Sequence, residues 1–380
     1  MKKSLLALAS LAVCAGAYAE VSITGEITYG YQSSFNGASP ALARDAARTS
    51  LGYAQLSGKG GNPVGDSSGF GVDTSVINFT STEDLGGGYK ATAKLGFDGV
   101  TRAGVAGNDL SLALLTPVGQ LMMETYKPED YLTGTFNVAG AGTGLDGRVI
   151  GDRDYKDSIG FTTKLGPVYV GYSHYEAGNP AGTTTPTLLG LGTGAAGAPA
   201  TVGQRINSLS FTYVDGGLVA NFNYLSYDNR TDGLDISRKD VLRAGVKYEA
   251  GAWKVGGGVS QGNLMSGATI KEATVSGAYT IGSFTLGANL AVGQLSGTTG
   301  GAWVVGALTP TLGAGAAGVV GGQINATGDK LDGNRNGYGL SAAYALSKRT
   351  SVLASYRNWV SSPWVADRSS QTWVVLDHNF

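Results

Sequence analysis

Residues 89–98 read Tyr89-Lys90-Ala91-Thr92-Ala93-Lys94-Leu95-Gly96-Phe97-Asp98. Tyr, Ala, Ala, Leu and Phe take the odd positions, while Lys, Thr, Lys, Gly and Asp take the even ones. A side-chain period of two belongs to a β-strand, here one apolar face set against one charged face. The charged face needs water, so the strand divides a greasy phase from a wet one. Val21, Ile23, Gly25, Ile27, Tyr29 and Tyr31 repeat the pattern against Ser22, Thr24, Glu26, Thr28 and Gly30. So do Leu242, Ala244, Val246 and Tyr248 against Arg243, Gly245, Lys247 and Glu249, and the run Phe284, Leu286, Ala288, Leu290, Val292. Tyr338 to Leu346 and Val374 to Phe380 complete the clear cases. Sixteen candidate strands can be read in this way, each of about 9 to 12 residues, the length that crosses a bilayer at a tilt. An even number suits a closed barrel.

Composition points the same way. The chain has 62 Gly in 380 residues, more than twice the usual share of about 7%. Charged residues are only 14%, against roughly 25% in an average soluble domain. A regular helical protein is disfavoured. Past the N-terminus no run of about 18 apolar residues occurs, so a membrane protein here must be a barrel, the other spanning structure that satisfies every backbone group.

The N-terminus sets the compartment. Lys2 and Lys3, the apolar stretch Leu5 to Gly16, and Ala17-Tyr18-Ala19 fit a secretory signal over residues 1–19, leaving 20–380 as the barrel domain. A lipid anchor at Cys14 is the rival; Val13 stands where such signals resemble one another in having a small residue. Cys14 is the single cysteine, so the exported chain would have no disulfide. Without Lys2 and Lys3 the formal charge becomes −3, too small for a polyanion-binding field, and no nucleic-acid partner is expected.

Connection lengths alternate. Short links fall at Asp84 to Gly88, Thr116 to Gly119, Gly166-Pro167, Asp215 to Gly217, Ala250-Gly251, Ile281-Gly282 and Leu346 to Arg349. Long ones are expected at Ser33 to Gly69, Gly99 to Asp109, Lys127 to Lys156, Ala177 to Arg205, Asp228 to Ser237, Gln261 to Thr269, Ser296 to Asn334 and Ser361 to Ser369. Tight turns on one side and extended loops on the other mark an outer-membrane barrel with short periplasmic turns, a pattern that a soluble sandwich has no reason to produce. Tyr29, Tyr31, Tyr89, Tyr248, Trp253, Tyr279, Tyr344, Trp373 and Phe380 stand near strand ends, where amphipathic rings would form interfacial girdles.

Three stretches carry a family resemblance. Thr82-Glu83-Asp84-Leu85-Gly86-Gly87-Gly88-Tyr89-Lys90-Ala91 is similar to the second-to-third strand turn of the general porins of Gram-negative outer membranes, β-proteobacterial type. Tyr344 to Ser351, continuing to Ala354-Ser355-Tyr356, resembles their penultimate turn and strand. Val374, Leu376, His378 and the terminal Phe380 resemble their signal to the barrel-assembly machinery. The resemblance implies a sixteen-stranded homotrimer in the outer membrane, among lipid and lipopolysaccharide, with the loop 127–156 folded inward to narrow a pore. The chain departs from relatives by placing Val76, Thr80 and Glu124-Thr125-Tyr126 where basic residues are usual.

A barrel of about 16 strands is too wide for its own side chains to fill, so an aqueous path is expected. Its wall would carry Lys90, Lys94, Lys164, Arg243, Lys247, Lys254 and Arg357 among Glu26, Asp98 and Asp377. The inward loop would add Glu129, Asp130, Asp146, Asp152 and Asp154 with Arg148, Arg153 and Lys156, and Lys94 is expected to face Glu129 and Asp130. Opposed charges across a narrowing create a transverse field. Passive diffusion of ions and small hydrophilic solutes, with a weak ion preference, is the expected activity. A substrate-selective channel with a solute-binding track is the alternative.

Catalysis finds little to work with. His174 and His378 are the only histidines, and both suit a rim or girdle better than a general base. Gly258-Val259-Ser260-Gln261-Gly262 spells a nucleophile elbow without the strand-to-helix turn that motif requires. Gly192 to Gly197 spells a dinucleotide fingerprint without its parallel sheet. No enzyme activity, cofactor or metal is expected.

Overall fold

The computed structural model describes residues 20–36, 67–101, 104–126, 128–139, 145, 156–177, 204–229, 238–264, 267–297, 333–360 and 368–380. The leader expected over 1–19 lies outside these residues. So do Asp146, Arg148, Asp152, Arg153, Asp154, the Gly192 to Gly197 run and most of the long loops.

Every alternating stretch is a strand. In chain order they are β1 (Glu20–Asn36), β2 (Ser67–Gly86), β3 (Tyr89–Thr101), β4 (Gly104–Thr116), β5 (Gly119–Tyr126), β6 (Lys156–Leu165), β7 (Val168–Ala177) and β8 (Gln204–Asp215). There follow β9 (Leu218–Asn229), β10 (Arg238–Ala250), β11 (Trp253–Leu264), β12 (Thr269–Ile281), β13 (Phe284–Ser296), β14 (Gly333–Ala345), β15 (Thr350–Val360) and β16 (Ser369–Asn379). Each pairs antiparallel with its sequence neighbours, and β1 pairs with β16, so these sixteen strands form one closed barrel. At the seam Ile27 lies opposite His378 and Tyr29 opposite Leu376. The backbones of Gly25 and Phe380 exchange two hydrogen bonds of 3.0 Å beside it.

Burial is inverted relative to a soluble protein. Val21, Ile23, Phe70, Leu112, Trp253, Val275, Leu286 and Leu376 are exposed, whereas Thr28, Ser208, Ser276, Asn289 and Gln371 are buried. An apolar face turned outward on every strand, over polar residues turned inward, is what lipid outside and water inside demand. Rings meet near the strand ends on the outer face: Trp253 and Tyr279 have centroids 4.2 Å apart, Phe284 and Tyr344 4.7 Å.

The short links are as tight as their residues predict. Gly216 and Gly217 both take positive φ (53° and 86°) between β8 and β9, the pair of values that a two-residue hairpin turn matched to strand twist requires. Four expectations need correction, the first being that Gln261 to Thr269 is no long loop, since β11 and β12 pair as far as Asn263 and Thr269. Strand lengths run from 8 residues in β5 to 20 in β2, because ladder hydrogen bonds continue past the bilayer wherever two backbones still pair. For the same reason Gly99 to Asp109 is not a long loop: β3 and β4 extend through it, with irregular register between Leu95 and Phe97 and between Asp98 and Thr101. Trp373 is not a girdle residue. It lies on the inward parity of β16 with Gln371, Val375 and Asp377, buried against Leu353 and Val375.

Candidate pore and its inward segment

Strand parity assigns the charged residues to the lumen side. Lys90, Lys94 and Asp98 share one face of β3, opposite the exposed Leu95. Glu26 is on the corresponding face of β1, next to Val76 and in line with Asp98 through the ladder. Arg243 and Lys247 project from β10 on the side opposite the exposed Leu242 and Val246. Arg357 is on the inward face of β15 and donates to Gln371 on β16. Lys254 pairs with Glu249 at 3.1 Å, both side chains well exposed, a contact worth little in open water.

Val76 and Thr80 also face inward, Thr80 directly opposite Lys94. Glu124 on β5 accepts from the Ser158 hydroxyl at 3.2 Å and has Asp109 and Lys94 as charged neighbours. Lys94 therefore sits beside carboxylates of its own wall, a relation that strand periodicity within one strand could not reveal.

The face is not polar throughout. Ile206, Leu225 and Val241 are buried on the inward parity of β8 to β10, with Tyr175 and Tyr227 against them. Leu353, Trp373 and Val375 form a second inward apolar group. Sequence alternation missed both, since Val374 and Leu376 next to Trp373 and Val375 leave the strand apolar on both faces.

Residues 128–139 and Leu145 lie against this inner wall. Asp130 is 5% exposed, and its Oδ1 accepts from the Leu132 amide (3.0 Å), the Thr133 amide (2.7 Å) and the Thr133 hydroxyl (2.9 Å). The carboxylate is thus occupied in capping the single π-turn Tyr131–Thr135, in the manner of an N-cap. Glu129, next to it, is exposed. The Tyr131 hydroxyl donates to Asn221 Oδ1 at 2.6 Å, and the Arg243 guanidinium lies 5.3 Å from the centre of its ring. Burial pushes the Tyr131 phenol above its ordinary pKa, and the Arg243 charge offsets part of the rise.

From there the segment crosses strand after strand. The Phe136 ring rests over Gly245 of β10. The Ser276 hydroxyl on β12 accepts from the Val138 amide at 3.0 Å and donates to the Phe136 carbonyl at 3.3 Å. Ser341 on β14 donates to the Ala139 carbonyl at 2.6 Å. Leu132 and Leu145 close against Ala291 of β13 and Trp359 of β15. The remaining candidates sit apart: His174 Nδ1 meets Asn207 Oδ1 at 2.9 Å, His378 Nδ1 meets the Thr350 hydroxyl at 3.0 Å, and the Phe380 ring rests beside Gly25 at the seam.

A closed sixteen-stranded wall, apolar outside and charged within, is a transmembrane diffusion barrel. Comparison with known proteins gives the family. A model described as Gram-negative porin matches residues 5–359, and the chain belongs to that family. No curated protein matches it. Its fold resembles the anion-selective porin from Comamonas acidovorans (15% identity, 96% of this chain and 100% of that one, TM-score 0.58). It also resembles a loop-deleted OmpT of Vibrio cholerae (12%, 95% and 99%, TM-score 0.56) and a mutant porin of Rh. blastica (14%, 95% and 100%, TM-score 0.51). The protein is an outer-membrane channel for passive diffusion of ions and small hydrophilic solutes. Family and fold are those of a channel rather than of an enzyme.

Proposed function

We propose that the channel is a general, weakly ion-selective pore whose narrowest section lies between the segment 127–156 and the wall formed by β3 to β5. The observation that carries this reading is the hydrogen bonding of the Phe136 to Ala139 backbone to Ser276 and Ser341, which holds the segment across the barrel interior. Lys90 and Lys94 with Asp98, Glu26 and Glu124 would line one side, and Glu129 the other, with Arg243, Lys247 and Arg357 along the remaining wall. Asp130 serves there by fixing the turn. Mixed signs favour a transverse field over a ring of one charge, so cations and anions pass at comparable rates.

In this reading three barrels associate as a homotrimer in a lipid and lipopolysaccharide bilayer, and the terminal Phe380 serves recognition by the barrel-assembly machinery. Planar-bilayer recording of the purified protein tests the whole. Stepwise conductance, smooth loss of flux with increasing sugar size and a small zero-current potential in a salt gradient are expected. Saturable block by one solute class would replace the general pore by a selective one, and a zero-current potential near the ideal value for one ion would refute the mixed-charge constriction. Conductance in single, unlinked steps from a protein of monomer mass would refute the trimer.

A further inference from the structure

Four glycines interrupt the inner wall where the inward segment crosses it. A side chain built on Gly245 would collide with the Phe136 ring, on Gly256 with the Phe136 carbonyl and on Gly287 with the Ala139 carbonyl, whereas on Gly258 it would meet first the Ala244 carbonyl of β10 at 2.6 Å and then the Leu132 side chain at 2.9 Å. A ring or carbonyl can approach a sheet this closely only where no Cβ projects.

The four positions form an oblique band. Gly245 lies directly opposite Gly258 in the ladder, Gly256 opposite Ser276, and Gly287 opposite Ser341. The glycines provide room, and the two serines beside them provide the hydrogen bonds. Along the same faces, before and after the band, stand Arg243, Lys247 and Lys254. A glycine outside the band differs: around Gly277, on the lipid-facing parity of β12, the nearest atom to an added Cβ is the Lys254 carbonyl at 3.7 Å.

We infer that Gly245, Gly256, Gly258 and Gly287 are positioning residues for the constriction, a recessed seat whose depth sets how far the segment stands out from the wall and hence how wide the channel is. The inference rests on the reading of 127–156 as the constricting segment, and it adds the wall residues that set the width.

The test compares Gly245→Ala and Gly287→Ala with Gly277→Ala in single-channel recording, folded protein being identified by its shifted gel mobility before heating. A Cβ under the segment pushes it off the wall into the lumen, so both seat variants should conduct less, by roughly a quarter or more, as a narrower path requires. Gly277→Ala should match the parent. A cross-link separates the two readings. Val138 Cγ1 and Ser276 Oγ lie 3.0 and 3.4 Å from the point that a Gly256 Cβ would occupy, so Val138→Cys with Ser276→Cys should form a disulfide on oxidation, and more slowly when Gly287→Ala is added. Folded seat variants with parental conductance and an unchanged cross-linking rate would overturn the seat alone. Failure of the parent pair to cross-link, together with parental open-channel noise in Ser276→Ala, would overturn the constricting segment and the seat with it. Should the alanine variants not fold, Ser276→Ala loosens the segment without adding volume: increased open-channel noise supports the seat, and parental noise overturns it.

Discussion

Arg335 on β14 reaches over β13 to hold Glu272 on β12, 3.0 Å from nitrogen to oxygen, and the residue it passes over is Gly293. The three stand in one row of the ladder, and the guanidinium fills the place of the side chain that Gly293 lacks. Both charged groups are largely buried, 16% and 7% exposed. Removing one partner would leave the other largely buried and unpaired.

Arg335→Ala should therefore destabilise the barrel by about 3 kcal/mol, the scale for orphaning a buried charge. The temperature at which the compact gel form converts to the extended one measures it. The double variant Glu272→Gln with Arg335→Gln should recover part of the loss, and a double variant worse than the single would refute the coupling.

The charges around Lys94 predict opposite shifts in ion preference. Lys94→Gln leaves Glu124 and Asp109 as the local sign and should move the zero-current potential toward cation preference, whereas Glu124→Gln should move it toward anions. Both shifts should shrink between 0.01 M and 1 M salt, as the screening length falls from about 30 Å to about 3 Å. Shifts of equal sign would contradict the placement.

Tyr131 gives a pH dependence. Its buried phenol keeps its proton above the ordinary value of about 10. With the folded pKa raised, the seated segment is fully stable below that pH and loses stability as pH rises past it, because an unseated phenol would ionise there. Channel noise should grow above about pH 10 in the parent and less so in Tyr131→Phe. That variant should itself be weakened by about 1 kcal/mol through loss of the bond to Asn221.

At the seam, Gly25→Val would place a Cβ against the Phe380 ring and the Val76 carbonyl. The fraction of protein reaching the heat-modifiable form should drop sharply. A normal yield would mean that the closing contact tolerates more volume than the packing of Phe380 on Gly25 allows.

Strand positions were legible because each strand is pressed between lipid and water, and a period of two in Tyr89 to Asp98 or Phe284 to Val292 records that pressure directly. The pattern fails where neither phase acts. Gly99 to Asp109 pairs outside the bilayer, where backbone hydrogen bonds need no apolar alternation, so it reads as a loop. Trp373 and Val375 break the pattern in the other direction, packing inward next to outward Val374 and Leu376. The inward segment is harder still. Asp130 reads as a lumen charge, yet it caps its own turn, and nothing local in Gly245 or Gly287 says that Phe136 or Ala139 will lie on them. Such contacts join residues more than a hundred positions apart, and one strand's periodicity holds no information about them.

The pairing of β1 with β16 also dictates an order of events. A sheet rolled up to fifteen strands still has two raw margins of unsatisfied amide and carbonyl groups, one of which belongs to β1, the strand synthesised before the other fifteen. That margin must wait, kept from sticking to a neighbouring chain, until the last segment arrives to cover it. Closure is therefore all or nothing, and a chain that stalls one strand short is left with the adhesive borders that a finished cylinder does away with.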